Sequence, residues 1–321
     1  MTHMLIRAAA LCVMTLAMAL PAHAQSWPQK PVKLILPLGP GSGADIGARL
    51  FADAFAKRWG QPVVVENRPG GDAVIALNAV IAAKDDHTLL WGPSSSFIGY
   101  PYTMDKLPYD KAELVPAARV TVTVVAIAVP AAGPGSLKEF VAFARANPGK
   151  LNWTSITQIT DITTAGFIKK NGLEMERIGY KDTVSALNDL VVGRIQFYTA
   201  AYAIVRTQAQ AGRIKLIAVT NKNRVPGLDL PTATESGFPE LEFDGLVGIW
   251  GTRSSGFSDA ARDRIAADVK AISAEPQVVE RLTATAQVLN PGTGADLSAS
   301  MEEQAATLAR VAGMVGIKPK F

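Results

Sequence analysis

Cysteine and histidine are the scarcest residue types that could carry chemistry in this 321-residue chain, which has one cysteine and three histidines. Cys12, His3 and His23 all precede residue 25. If the first 24 residues are removed, the remaining chain has no cysteine and keeps only His87. Disulfides, cysteine nucleophiles, cysteine-based zinc sites and sites with several histidine ligands are then excluded.

The chain also has no large excess of charge of one sign. Its 32 Lys and Arg residues are nearly balanced by 28 Asp and Glu, which gives a formal net charge of +4. The Lys and Arg residues do not form blocks, so this small positive excess does not indicate a nucleic-acid-binding surface. No segment of the chain after the N-terminal region approaches the ~18 uninterrupted apolar residues of a membrane span. The 27 glycines and 20 prolines are near average usage, which argues against a collagenous or disordered chain.

The N-terminus has the layout of a secretory signal. Arg7 supplies the positive region, residues 8–20 form an apolar run, and Pro21 ends it before the A-x-A site at residues 22–24. We expect cleavage before Gln25 and a mature protein in the periplasm. An uncleaved N-terminal anchor is the alternative interpretation.

Short apolar runs alternate with helical stretches along the rest of the chain, which predicts βαβ units and an α/β fold. Strands are predicted at residues 32–36, 63–66, 88–91, 120–129, 151–154, 195–198, 216–219 and 246–251. Helices are predicted at residues 45–59, in an Ala-rich stretch ending at 83, and at 136–147, 160–171, 185–193, 258–274, 276–286 and 295–315. This order predicts two α/β lobes, two crossing strands and a helical C-terminal tail.

A Gly-rich turn at residues 39–43 separates the first predicted strand from the first helix. Glycines there allow close approach of the backbone, and a helix N-terminus favours an anion. The turn is not a Walker loop, and Pro40 and the glycine register exclude a dinucleotide fingerprint. An ordinary structural turn is the alternative, and Asp45 could cap the helix, order the loop or contact ligand.

Two hydroxyl-rich segments follow other predicted strands. Ser94, Ser95 and Ser96 come after the third strand, and residues 155–160 follow the strand at 151–154. Ligands of open α/β sheets bind at the carboxyl edge, where such turns lie. Turns from two lobes together predict an anion-binding cleft.

The sequence offers little for catalysis. His87 is the one histidine available to a Ser-His-Asp triad, and no G-x-S-x-G or S-x-x-K motif accompanies it. A periplasmic hydrolase that uses Ser94 or Ser155 is therefore the weakest alternative. Five aromatic residues near the expected cleft are interpreted first as core or hinge packing: Phe97, Tyr100, Trp153, Tyr198 and Tyr202.

Several motifs at fixed places along the chain carry a family resemblance. They lie at residues 27–37, 45–49, 60–70, 88–95, 106–110, 179–181, 186–193, 211–220, 231–237 and 316–318, and include Glu-Asn-Arg-Pro-Gly and Lys-Leu-Pro-Tyr-Asp. The series resembles the Bug-type (Bordetella uptake gene) solute-binding receptors of tripartite tricarboxylate transporters. It covers essentially the whole mature chain.

The resemblance implies a two-lobed, type II-like periplasmic-binding-protein fold. Lobe 1 would comprise residues 25–126 and 247–321, lobe 2 residues 127–246, and the signal peptide residues 1–24. The expected function is capture of a small organic carboxylate and its delivery to membrane permease subunits; a sensor component that docks on a kinase ectodomain is the alternative. We expect no cofactor, no metal, no nucleic-acid partner and no enzymatic activity. We also expect the protein to be a monomer.

The resemblance also implies a ligand site on two strand-to-helix loops, residues 38–45 and 154–163. The expected ligand-binding residues are Leu38, Gly41, Ser42, Gly43, Ala44, Asp45, Ser94, Ser95, Ser155, Thr157, Thr160, Thr163, Tyr180, Ala200 and Tyr202. This chain departs from the family pattern where Thr163 replaces a histidine and Ala200 replaces an acid. Ile156, Thr157 and Ile159 also replace glycines.

These departures bear on the ligand. Loss of an acid from the cleft favours a second anionic group on the ligand, because like-charge repulsion is removed. We therefore expect an aromatic or longer-chain dicarboxylate. Arg206 could supply a countercharge through a bidentate pair, and a solvated helix face is its alternative role.

Overall fold

The computed structural model describes residues 27–321 except positions 108, 156, 181 and 286, and the predicted signal peptide lies outside the described residues. Eleven strands lie within this part of the chain: β1 Val32–Leu36, β2 Val63–Asn67, β3 Thr88–Pro93, β4 Leu114–Thr123, β5 Val125–Pro130, β6 Leu151–Ser155, β7 Met175–Arg177, β8 Phe197–Ala201, β9 Ile214–Val219, β10 Gly245–Thr252 and β11 Gln287–Thr293. Ten α-helices accompany them in the same residues: α1 Gly43–Trp59, α2 Val74–Ala83, α3 Ser95–Thr103, α4 Leu137–Ala146, α5 Gln158–Lys170, α6 Thr183–Val191, α7 Tyr202–Gln210, α8 Asp259–Ile272, α9 Pro276–Ala284 and α10 Gly294–Val315.

The first sheet has the strand order β11-β4-β10-β3-β1-β2. Strands β1, β2 and β3 are parallel, whereas β10 runs antiparallel to β3 and β4. Side chains alternate across β1, so Leu34 packs with α1 and α8 while Ile35 packs with α2 on the other face. Burial on both faces is why the last three residues of β1, Leu34 to Leu36, are all apolar, whereas Lys33 near its start is exposed.

The second sheet has the order β7-β6-β8-β5-β9. Strand β6 is parallel to β7 and β8, and β5 is antiparallel to β8 and β9. Helices α4 and α5 cover one face through Phe140 and Phe167, which both contact the ring of Phe197. Helices α6 and α7 cover the other face through Leu190 and Val205. Each sheet therefore forms its own lobe with its own core.

The chain crosses between the lobes twice. Only the buried residue Val124 separates β4 from β5, and residues 220–244 lead back from β9 to β10. The last helix adds a third link, because Leu308 and Val311 in the second half of α10 pack with Ile159 and Ile162 of α5. Within residues 27–321, no helix combines the length and apolar character needed to traverse a bilayer.

The α/β prediction is confirmed, but four elements were not predicted: α3, α7, β7 and β11. The single strand predicted at residues 120–129 is two strands, β4 and β5, divided at Val124. Helix α3 begins in the hydroxyl-rich segment that the sequence predicts as a turn, and it contains nine residues, Pro101 among them. Strand β11 was not predicted because its sequence contains Pro291 and Gly292, where its pairing with β4 is irregular. The three-residue strand β7 was also missed.

Ser136 and Glu139 have the Ser-x-x-Glu spacing that predicts a capping box at the start of α4, and this box forms only in part. Ser136 is the N-cap, and its hydroxyl accepts from the backbone N–H of Glu139 at 3.2 Å. The Glu139 carboxylate accepts instead from the N–H of Gly135, at 2.8 Å. The sequence spacing indicated the cap correctly, and the chain path before the helix redirected its second contact.

Candidate functional site

The carboxyl ends of β1, β3, β6 and β8 lie on two sheet edges that meet at Val124. In the first sheet, Pro93 of β3 pairs with Val247, and Thr123 of β4 pairs with Gly245 on the same strand, β10. In the second sheet, Ala201 of β8 pairs with Val125, the residue after Val124. Loops that follow these strands therefore flank one interlobe cleft.

The first loop leads from β1 into α1. Ser42 is the N-cap of α1, and its hydroxyl accepts from the N–H of Asp45 at 3.3 Å. Gly41 has a φ of +80°, a left-handed conformation that favours glycine. The Leu38 carbonyl accepts from Asn67 Nδ2 at 2.9 Å, and Ala44 is buried in the core beneath the loop. The predicted loop is thus a fixed strand-to-helix turn.

Asp45 fixes this loop from inside. It is 3% exposed, and its carboxylate accepts from the Gly41 N–H at 2.9 Å, from Asn67 Nδ2 at 2.8 Å and from Arg49 Nε at 3.1 Å. Burial alone would raise its pKa, but the donors from Arg49, Gly41 and Asn67 outweigh burial and lower the pKa of Asp45 below its ordinary value. Of the three roles that the sequence leaves open for Asp45, its contacts match that of ordering the loop.

Gly43 begins α1 against a residue from the far end of the chain. A methyl group on Gly43 would lie 2.5 Å from Gln287 Nε2, so only glycine fits without displacing that side chain. Gln287 is itself buried, accepting from Thr121 Oγ1 at 3.1 Å and donating to Thr123 Oγ1 at 3.2 Å. Sequence reasoning missed Gln287 because β11 was not predicted.

The second loop, between β6 and α5, is held by hydroxyl groups. Thr157 and Thr160 form a reciprocal cap: Thr157 N–H donates to Thr160 Oγ1 at 3.0 Å, and Thr160 N–H donates to Thr157 Oγ1 at 3.2 Å. Ser155 Oγ lies 3.0 Å from Thr160 Oγ1 and 2.8 Å from Asp161 Oδ1. Ile156 lies outside the described residues.

An acid and an arginine fasten each loop. Arg177 at the end of β7 forms a two-point ion pair with Asp161, with Nε at 2.9 Å and Nη2 at 2.6 Å. Asp45 and Arg49 do the same for the first loop. We call these two ion pairs the loop clamps. They occupy the carboxylates of both loops, and the hydroxyls of Ser42, Ser155, Thr157 and Thr160 are also engaged within their loops. The groups that these contacts leave for a ligand are backbone N–H groups at the helix starts.

A third helix begins between these loops. Ser94 follows β3, is fully buried, and its hydroxyl has no hydrogen-bond partner among the described residues. Its own N–H donates to the Leu246 carbonyl at 2.9 Å. Ser95 is the first residue of α3, and Ser96 Oγ donates to Asp72 Oδ1 at 2.8 Å. The Ser94 hydroxyl is therefore a buried donor at the carboxyl end of β3 that is unpaired among these residues.

The remaining predicted residues each have contacts within the second lobe or at the crossing. Thr163 is buried and its hydroxyl donates to the Thr160 carbonyl at 3.2 Å. Tyr180 donates to Asp189 at 2.8 Å, and burial together with that carboxylate raises the pKa of Tyr180 to about 12. Ala200 is buried within β8, and the N–H of Tyr202, the first residue of α7, donates to the Val124 carbonyl.

His87 lies at the wrong end of β3 for a triad with Ser94. It precedes the six-residue strand and Ser94 follows it, a separation of about 20 Å. Both ring nitrogens are engaged: Nδ1 lies 2.6 Å from Asp86 Oδ1, and Nε2 accepts from the Gln29 N–H at 3.0 Å. The buried ring stabilises a turn and cannot act on Ser94.

The same turn contains the one group of possible metal ligands that the described residues bring together, Asp85, Asp86 and His87, whose ligand atoms lie within 4.8 Å of one another. Lys30 pairs with Asp85 at 3.0 Å, and the His87 ring has the two contacts above. Burial opposes ionisation of Asp85, but the His87 N–H and Lys30 outweigh it and lower the pKa of Asp85. These contacts account for the group without a metal.

The chain is similar to proteins of one family. A family model described as "Tripartite tricarboxylate transporter family receptor" matches residues 47–308. A UPF0065 protein of Bordetella bronchiseptica is 28% identical over 322 residues, covering 98% of this chain and 95% of that protein. BugT of Bordetella pertussis is 30% identical over 236 residues, with 71% and 72% covered. The solved structure of R. palustris Rpa4515 with adipate has a TM-score of 0.76 at 25% identity, covering 92% of this chain and 100% of that chain.

Proposed function

Because the chain belongs to the tripartite tricarboxylate transporter receptor family, we propose that it captures a small organic carboxylate between its lobes and delivers it to a membrane permease. The boundaries expected from the sequence, residues 25–126 with 247–321 and residues 127–246, are shifted slightly in this proposal. Val125 and Ala126 belong to β5 of the second lobe, and Gly245 and Leu246 belong to β10 of the first. Export by a cleaved signal at residues 1–24 would place the receptor in the periplasm, as in other members of the family.

One observation carries the proposal. Helices α1, α3 and α5 all begin at the two sheet edges that meet at Val124, and they come from both lobes. Helix N-termini present unpaired N–H groups and partial positive charge, so together they favour an anion. The buried, unpartnered hydroxyl of Ser94 adds a donor at the same edge.

The distribution of charge around the site favours a ligand with more than one anionic group. The loop clamps neutralise both loop carboxylates. At the position where the family pattern has an acidic residue, this chain has Ala200. A second negative group therefore meets no repulsion at these positions. The relative Rpa4515 is described with adipate, a dicarboxylate. We place an aromatic or longer-chain dicarboxylate first among the ligands.

Capture works by closure of the lobes in this proposal. A ligand that contacts loops from both lobes binds the closed arrangement better than the open one and shifts the population toward it. The loops are already ordered by the clamps, so little binding free energy is spent on fixing them. The closed receptor is the form that the permease would recognise.

A thermal-shift screen of carboxylates, followed by calorimetry on the best compound, tests this function. A ligand at 100 times its dissociation constant adds about 2.7 kcal/mol to the free energy of unfolding. Ser94→Ala should weaken binding about tenfold, the cost of one hydrogen bond to a charged group. A panel of mono-, di- and tricarboxylates that leaves the melting temperature unchanged would contradict the proposal.

Ser273→Ala is the matched control. Its hydroxyl is also buried and without a partner among the described residues, but it lies beside Glu275, which pairs with Arg58 at the opposite end of α1. This variant should bind like the wild type. Delivery is tested by uptake of the same carboxylate in cells, which should be lost with the gene and restored by wild type. Cells with Ser94→Ala should need about ten times more carboxylate for the same uptake.

A further inference from the structure

A cavity of about 350 Å³ lies beside the lobe crossing, outside the two predicted loops. Its walls come from both lobes: α7 and the segment 225–228 on one side, α9 and the start of β11 on the other. A volume of this size is within the ~300–1,000 Å³ range of small-molecule sites. The cavity can therefore hold part of a small ligand.

The cavity adjoins the first loop of the proposed carboxylate site through one buried side chain. Gln287 lines the cavity and contacts Gly43 at the start of α1. Tyr202, on the opposite wall, begins α7 directly after β8 and is bonded to the Val124 carbonyl. A ligand held at the N-terminus of α1 thus has the cavity next to it, past Gln287.

The lining of the cavity is apolar with one cation. Val225, Leu228, Val279 and Val288 supply apolar walls, and none of the described lining residues is Asp or Glu. Arg206 lies one helical turn, about 6 Å, beyond Tyr202 along α7. This composition matches a molecule with an apolar body and an anionic end.

Most N–H donors of the Arg206 guanidinium have no acceptor among the described residues. One guanidinium nitrogen donates to the carbonyl of Ala284, the last residue of α9, and no other described residue accepts from Arg206. A guanidinium carries five N–H donors in a planar fork that suits a carboxylate. The contact with Ala284 also holds the Arg206 side chain across the lobe boundary, at the cavity.

The second interlobe cavity, under α10, has a different character. Its lining includes Arg119 and Lys222 but also Glu242, Asp244 and Glu303. Lys222 already pairs with Glu303, and Arg119 donates to Ser300 at 2.6 Å. Its cations are therefore occupied, and carboxylates in its wall would repel an anion.

From these contacts we infer that the cavity beside the crossing is a distal subsite of the ligand. The loops hold one carboxylate, the apolar body passes Gln287, and Arg206 receives a second carboxylate at the far end. The class of ligand is an extended α,ω-dicarboxylate. This inference depends on the proposed function and specifies the length and charge of the ligand.

The test is calorimetry of adipate and suberate against hexanoate and octanoate, which have equal chain lengths but one charged end. In the wild type, each dicarboxylate should bind more tightly than its one-ended partner. Arg206→Gln should reduce that preference about tenfold or more, because a charge-assisted contact is lost. Arg213→Gln is the control, since Arg213 is exposed at the start of β9 and outside the cavity lining.

A second variant probes the cavity without touching the arginine. Val279 is 41% exposed on α9, so Val279→Glu is expected to fold and to place a negative charge in the wall. It should weaken suberate more than succinate, whereas Val192→Glu, on an exposed valine after α6, should change neither. Circular dichroism melts confirm that each variant is folded.

The outcomes separate the two proposals. If no carboxylate binds the wild type, the proposed function fails and this inference fails with it. If dicarboxylates bind but Arg206→Gln and Val279→Glu behave like their controls, the inference alone is overturned. Loss of the two-ended preference in Arg206→Gln, with one-ended acids unaffected, supports it.

Discussion

At the scale of single residues, Asp45 decides whether the first loop keeps its shape. Asp45→Asn removes the charge that Arg49 faces and weakens acceptance from Gly41 N–H and Asn67. We expect a loss of about 1–3 kcal/mol in the free energy of unfolding at neutral pH. Denaturant titration measures it, and carboxylate affinity should fall in the same variant.

The pH dependence of this effect has a definite sign. The pKa of Asp45 is lowered in the folded protein relative to the ordinary 3.8, so its contribution is complete above that value. It is lost as pH falls through the folded pKa, and the difference between wild type and Asp45→Asn should shrink there. Asp53→Asn, an exposed position in the same helix, should stay within about 0.5 kcal/mol at every pH. An equal loss in Asp53→Asn would remove the special role given to Asp45.

At the scale of elements, the contact between α5 and α10 depends on one small residue. A methyl group on Gly166 would lie 2.3 Å from Val311 Cγ1, so Gly166→Ala overfills this contact. We expect a loss of about 1–3 kcal/mol, restored in part by adding Val311→Ala. Differential scanning calorimetry of the two single variants and the double variant measures the coupling.

Gly313 provides a comparison of opposite sign. It lies in α10, and nothing lies within 4 Å of a methyl group placed there. Gly313→Ala should therefore stabilise by up to about 1 kcal/mol, because alanine is the better helix former. Similar destabilisation at both glycines would indicate that helix geometry, and not the packing of Val311, limits the contact.

Elements were predictable from sequence where pattern and caps agreed. The alternation of apolar runs and helices is set by local side-chain periodicity, and the confirmed two-lobed fold follows from it. Helix α3 was not predicted because Gly99 and Pro101 are residue types typical of loops. Strand β11 was not predicted for the same reason, since it contains Pro291 and Gly292. Tertiary packing overrides local preference in both cases.

The candidate site was predictable only in its loops. Residues 38–45 and 154–163 are contiguous in sequence, so their glycines and hydroxyls are visible together. The groups that hold or extend them are not: Asn67, Arg177 and Gln287 come from separate strands and reach the loops only in the folded chain. The Glu-Asn-Arg-Pro-Gly motif contained Asn67, but nothing local indicated its partner Asp45.

At the scale of the whole molecule, closure should be measurable at the rim of the cleft. Ile75 and Val184 lie near the starts of helices that follow the outermost strands, β2 and β7, and are 52% and 61% exposed. Spin labels on Ile75→Cys and Val184→Cys should approach each other when a carboxylate binds. In a protein expressed from residue 25, which omits Cys12, these would be the only thiols.

A labelled pair within one lobe, Val64→Cys with Ile75→Cys, controls for local motion. Its distance distribution should not change with ligand, because β2 and α2 belong to the same rigid sheet-and-helix layer. An interlobe distance that stays constant at saturating ligand would contradict closure while leaving binding itself intact.

The loop clamps have a consequence for how such receptors diversify. Each clamp pairs a loop carboxylate with an arginine of its own lobe, so loop anchoring and the proposed recognition of cargo depend on different side chains. Under the proposed function, substitutions at Ser94 or Arg206 can then change selectivity while both clamps stay in place. A lineage could explore new nutrients one replacement at a time, with every intermediate still a folded receptor.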